Sequence, residues 1–177
     1  MIALLVGVCV PVAHAGTWTV GPNFGIEAFQ SNGSGFAVFA APTGGTSWSP
    51  GLRVGRLSKA EHSAWYLETT ALYEKDENNS ANNIMATINW QYGLHPERKS
   101  CLYGILGGGV QRDSFSSFFG RVTNSSQLLG FGLGLRRTVS EGHGAIRAEL
   151  RYDELRDDSG SHAHLLSLRF GSDLWFK

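Results

Sequence analysis

His164-Leu165-Leu166-Ser167-Leu168-Arg169-Phe170-Gly171-Ser172-Asp173-Leu174-Trp175-Phe176-Lys177 closes the chain. Leu166, Leu168, Phe170, Ser172, Leu174 and Phe176 share one face, and Leu165, Ser167, Arg169, Gly171, Asp173 and Trp175 share the other. Side chains of a strand point alternately to its two faces, so the segment reads as a strand with one greasy face. In water such a face is buried against a second layer. In an outer-membrane barrel it turns to lipid, and the polar face turns inward.

The preceding segments repeat the pattern. Ile146, Ala148, Leu150 and Tyr152 alternate with Arg147, Glu149, Arg151 and Asp153. Leu129, Phe131, Leu133 and Leu135 alternate with Gly130, Gly132, Gly134 and Arg136. The cleanest alternation sets Ile84, Ala86, Ile88, Trp90 and Tyr92 against Met85, Thr87, Asn89, Gln91 and Gly93; a helix would scatter those apolar residues round its cylinder. Trp65, Leu67, Thr69, Ala71 and Tyr73 oppose Tyr66, Glu68, Thr70, Leu72 and Glu74. Trp48, Leu52 and Val54 oppose Arg53 and Gly55, in a strand expected from about Trp48 to Leu57. From Thr17 the even positions Trp18 to Ala28 are mostly apolar, although Pro22 removes a ladder donor. Cys101 to Gln111 is apolar on both faces, so its register stays open. The sum is eight strands.

Connections near 58–62, 95–100 and 139–143 are short. Those near 30–47, 75–82, 113–125 and 155–162 read as longer loops by their Gly, Ser, Asn and charged content, with an apolar island at Phe36–Ala41 that fits either an extra hairpin or a strand extension. An even strand number with short turns at one end and longer loops at the other is the layout of outer-membrane barrels. Trp18, Trp48, Trp65, Trp90, Tyr92, Tyr152, Trp175 and Phe176 fall near strand ends or on outward positions, as an aromatic girdle requires.

Met1 to Ala15 contains no Asp, Glu, Lys or Arg, and its apolar run ends in Ala13-His14-Ala15. It reads as a signal peptide, too short to span a bilayer as a helix, with 16–177 as one barrel domain. After cleavage Cys101 is the remaining cysteine, which excludes an intrachain disulfide and a cysteine metal cluster. Fifteen Lys and Arg balance fifteen Asp and Glu, so no basic excess argues for nucleic acid. No later segment is apolar enough for a transmembrane helix, and spanning falls to strands.

Leu129 to Arg136, Ala145 to Tyr152 and the closing strand together resemble the eight-stranded OmpA/OmpX/opacity-type barrels, a likeness of pattern that extends over the mature chain. The resemblance implies an all-β, up-and-down antiparallel transmembrane barrel in the bacterial outer membrane. It further implies surroundings of outer-membrane lipid and lipopolysaccharide, and an aromatic C-terminal signal for the barrel-assembly machinery. That signal is Phe176 here, followed by Lys177. A monomer without a cofactor is the expected state.

The interior of an eight-stranded barrel is only wide enough for side chains to fill. If the last hairpin centres near Ser159, Glu149 lies opposite Arg169 and Arg151 opposite Ser167. Glu68, Arg147, Glu149, Arg151 and Arg169 are then expected to interlock as a lumen charge cluster, with Gly132 and Gly134 making room. A narrow porin-like channel is the alternative use of those charges. A lipid A deacylase-like barrel is a second alternative, but Arg151-Tyr152-Asp153-Glu154-Leu155-Arg156-Asp157 lacks the His-x-Ser-Asn motif at the matching place. A secreted lipocalin-like binder would need the Leu and Phe face inside. His162 and His164 beside Asp157-Asp158 read as a solvated loop rather than a metal site, and Gly107-Gly108-Gly109 lacks the Lys of a phosphate loop. No catalytic, cofactor or metal residue is expected.

Overall fold

The computed structural model describes residues 16–31, 34–41, 51–58, 60–75, 79–96, 98–117, 120–139, 143–158 and 160–176. The expected leader 1–15, Trp48 and most of the turn Ser140-Glu141-Gly142-His143 lie outside them. Nine strands follow in order: β1 (Thr17–Ser31), β2 (Ser34–Ala41), β3 (Gly51–Leu57), β4 (Ser63–Lys75), β5 (Ser80–Gly93), β6 (Ser100–Ser117), β7 (Gly120–Val139), β8 (Gly144–Asp157) and β9 (His162–Phe176).

They form eight staves. β3 pairs with Thr17–Asn23 of β1, and β2 pairs with the same edge of β1 from Gly25 to Ser31, so β2 and β3 are two halves of one stave. Each later strand pairs antiparallel with its neighbour, and β1 pairs with β9 to close the sheet into an up-and-down barrel. The island at Phe36–Ala41 therefore belongs to a hairpin with β1 that continues the second stave. At Pro22 the β1–β9 ladder skips two pairs and resumes in register, Val20 opposite Leu174 and Asn23 opposite Gly171. A proline has no N–H to give, and the missing rungs are the local cost.

The expected long loops at one end are corrected. β6 runs to Ser117 and β7 starts at Gly120, so Asp113–Ser117 and Gly120–Ser125 form a paired ribbon, with Asp113 opposite Asn124 and Phe115 opposite Val122. β4 and β5 likewise pair to Lys75 and Ser80, and β8 extends to Asp157. Ser, Asn and Asp composition concealed these extensions because beyond the apolar belt both faces of a ribbon are wet, and no hydrophobic alternation remains to mark a strand. The open register is settled too: Cys101, Tyr103 and Ile105 point inward and Leu102, Leu106 and Val110 outward.

Outward residues form an apolar band. On β9 it runs from Leu166 to Phe176, interrupted by Ser172, and on β8 from Ile146 to Tyr152. The β9 stretch is about 34 Å of strand at ~3.4 Å per residue, or about 25 Å along the normal after a ~40° tilt, the height of an outer-membrane belt. Among the described residues no helix is long and apolar enough to cross a membrane.

Candidate functional site: the charged lumen

Among the described residues, inward positions carry five buried arginines, Arg53, Arg136, Arg147, Arg151 and Arg169, and four buried carboxylates, Glu68, Glu149, Asp153 and Asp173. All five expected cluster members, Glu68, Arg147, Glu149, Arg151 and Arg169, are there and are joined in one network. The anticipated register holds, with Glu149 opposite Arg169 and Arg151 opposite Ser167.

The partners run diagonally rather than straight across. At the centre, Glu149 Oε1 accepts from Arg53 Nη1 at 2.6 Å and from Tyr103 Oη at 2.6 Å. Arg53 Nη2 donates to Gln91 Oε1 at 2.9 Å, and its guanidinium lies 3.5 Å from the centroid of the Tyr66 ring. Glu68 takes Arg151 Nη1 at 2.9 Å, with Arg53 at 3.5 Å and Arg169 at 3.6 Å. Toward the ribbon end, Arg151 Nη2 donates to Asn89 Oδ1 at 2.8 Å, while Arg169 Nη2 reaches Asp153 Oδ2 at 2.6 Å and Arg169 Nε donates to Ser167 at 2.9 Å. Toward the short-turn end, Arg147 pairs with Asp173 at 3.3 Å and donates to Asn23 Oδ1 at 3.0 Å. Charges removed from water persist when paired and hydrogen-bonded, and this network meets that condition from seven of the nine strands.

Sequence reasoning left out Arg53, Asp153, Asp173, Asn89, Gln91 and Tyr103. For Arg53 the signal was present, since it alternates inward between Gly51 and Gly55. Tyr103 gave none, because both faces of its strand are apolar. The glycines on β7 make the room expected of them. A methyl group at Gly134 would fall on the Tyr103 ring, and one at Gly132 on the Leu150 carbonyl oxygen and the Arg151 side chain.

Five of the expected girdle aromatics, Trp18, Trp65, Trp90, Tyr92 and Phe176, face outward near the short-turn end, whereas Trp175 alternates to the inner face and packs on Leu57, Ala64 and Tyr66. Phe176 is opposite Trp18, Trp18 opposite Arg56, Arg56 opposite Trp65 and Trp65 opposite Trp90, so the row continues across five strands. Tyr152 lies at the other edge of the band, its ring 5.5 Å from Phe131 and its hydroxyl 2.7 Å from His164 Nδ1. Beside it His162 Nδ1 is 3.1 Å from Glu154. Among the described residues no group of three His, Cys, Asp or Glu is placed to hold a metal ion.

No family model matches the sequence, and no curated protein does. Solved structures do match. Neisserial surface protein A superposes with a TM-score of 0.66 at 15% identity, over 92% of this chain and 100% of that one. Ail, the attachment invasion locus protein of Yersinia pestis, gives 0.56 at 15% identity, and a major outer membrane protein from Thermus thermophilus gives 0.55 at 12%, each over 92% of this chain and 100% of the other. The shared property is the fold, a closed eight-stranded antiparallel barrel of the outer-membrane kind.

Proposed function

We propose that this chain, which has the fold of the eight-stranded outer-membrane barrels, is an integral outer-membrane protein that acts through its projecting ribbons while a paired-charge network closes its lumen. The observation that carries the reading is the inversion of a water-soluble protein. Leu150, Leu168 and Phe170 are half exposed on the outside, while Arg53, Arg151 and Glu149 are wholly buried inside. Only a surrounding of hydrocarbon stabilises that arrangement, which argues against a secreted binder with the greasy face inside.

The role is structural or interactive and not enzymatic. In support, the buried carboxylates Glu68, Glu149, Asp153 and Asp173 are each paired with a lumen arginine, and His162 and His164 are engaged with Glu154 and Tyr152 at the rim. Lipopolysaccharide is the natural neighbour of that rim, where Arg112, Arg121 and Arg156 are exposed at positions beyond the apolar band. Phe176 supplies the aromatic that the barrel-assembly machinery reads, and the protein works as a monomer without a cofactor.

Fractionation tests the location: the protein pellets with outer membranes and shifts on gels when heated, whereas recovery from the periplasm without detergent contradicts the proposal. Planar bilayers test the closed lumen, with no steady conductance expected. A conductance that Arg151→Leu abolishes establishes the channel instead. Lipid A of unaltered mass from expressing cells is expected, and loss of an acyl chain would identify a hydrolase.

A further inference from the structure

Among the described residues the lumen charges match one to one with a single remainder. Arg53 is paired with Glu149, Arg147 with Asp173, Arg151 with Glu68 and Arg169 with Asp153, which uses all four buried carboxylates. Arg136 is left with Glu61 at 3.8 Å, on a turn and partly exposed. Yet Arg136 is only 3% exposed, and its Nε and Nη1 atoms are buried without an acceptor.

Its surroundings favour an anion. Arg136 is directly opposite Arg147 across the β7–β8 ladder, and like charges in that relation repel unless something negative sits between them. Asp173 is already bonded to Arg147. The Arg136 guanidinium lies 5.5 Å from the Trp175 ring, in the apolar floor that Leu57, Ala64 and Tyr66 build at the short-turn end. Glu61 approaches this floor from the turn Ser58–Ser63, held at φ 56° by the bond from its N–H to Ser58 O. A planar guanidinium with free donors in an apolar setting is the arrangement that binds carboxylate or phosphate by directed hydrogen bonds.

We propose that Arg136 is the base of an oxyanion site at the short-turn mouth of the barrel, taking a phosphate or carboxylate group, with Glu61 as the side chain that yields to it. The ligand is either a free anion or the phosphate of an anionic lipid headgroup from the adjoining leaflet. Arg136 binds it, and Trp175 walls the site from water.

The test uses the full barrel, ¹⁵N-labelled and refolded in glucoside detergent without phosphate, with the Arg136 Nε–H resonance identified by its loss in Arg136→Lys. Inorganic phosphate is added in one arm and short-chain phosphatidylglycerol in the other. A saturable shift in the millimolar range is expected, absent with chloride. Glu61→Gln, on an exposed turn that leaves the barrel intact, is expected to tighten binding about threefold by removing one nearby negative charge. A response to phosphate alone identifies a free anion, and a response to the lipid identifies a headgroup. No saturable shift with either, in the parent and in Glu61→Gln, overturns the proposal, as does an equal shift with chloride, which marks an adventitious ion only.

Discussion

Arg53 and Glu149, ninety-six residues apart, meet at 2.6 Å with both side chains wholly shut off from solvent. β3 and β8 are not neighbours in the sheet, so this bond crosses the lumen and ties opposite walls of the barrel. A contact of this kind forms only once the sheet has closed.

Glu149→Ala leaves Arg53 with Glu68, at 3.5 Å, as its remaining carboxylate and the Tyr103 hydroxyl without its acceptor. It is expected to cost about 3–5 kcal/mol in urea unfolding of the barrel in lipid vesicles, the scale of breaking a buried pair from one side. Replacing both partners, Arg53→Met with Glu149→Leu, is expected to cost less than the two single changes added together, because no unpaired charge remains. Strict additivity in that cycle rules out a direct bond.

Glycines on the two faces of the sheet are expected to behave differently. Gly134→Ala drives a methyl group onto the Tyr103 ring, whereas the same addition at Gly104 meets nothing within 4 Å. Unfolding measurements should show a loss of about 1–3 kcal/mol for Gly134→Ala, the usual cost of overpacking. Gly104→Ala should stay within about 0.5 kcal/mol of the parent.

Leu150 and Glu154 both point outward on β8, one within the apolar band and the other beyond it. Leu150→Lys is expected to cost about 2–4 kcal/mol in vesicle refolding, and Glu154→Lys about 0–1 kcal/mol, because a charge is penalised by its depth in hydrocarbon. Equal costs at the two positions would mean that the band has been misplaced.

The ribbon end of β6 and β7 lies past the band, and its side-chain bonds are local, such as Asn83 Nδ2 to Asp113 and Ser114 to Thr123 at 3.3 Å. Shortening it to a tight turn between Asp113 and Asn124 is expected to leave heat-modifiable migration and unfolding within about 1 kcal/mol of the parent, as for surface changes away from the core. A barrel that no longer folds would show that the ribbon carries core contacts.

Wherever lipid lies against one face and side chains fill the other, the sequence was legible. Ile84 to Gly93 and Ile146 to Asp153 alternate without a fault, and the cross-strand position of Arg169 against Glu149 followed from the centre of one hairpin. Legibility ended for two physical reasons. Beyond the membrane both faces of a ribbon are polar, so Asp113 to Ser125 read as a loop. Inside the lumen, ion pairs are chosen by side-chain reach across a narrow space. Adjacency therefore named Arg169 as the neighbour of Glu149, while the bond went to Arg53 on the far wall.

The central claim is the direction of facing, and spin labels placed one at a time from His164 to Leu174 in vesicles test it most directly. Collision with oxygen, which concentrates in hydrocarbon, is expected to rise and fall with a period of two, peaking at Leu166, Leu168, Phe170 and Leu174 and dropping at Ser167, Arg169 and Asp173. Peaks on Ser167 and Arg169, or no oscillation at all, would contradict the account.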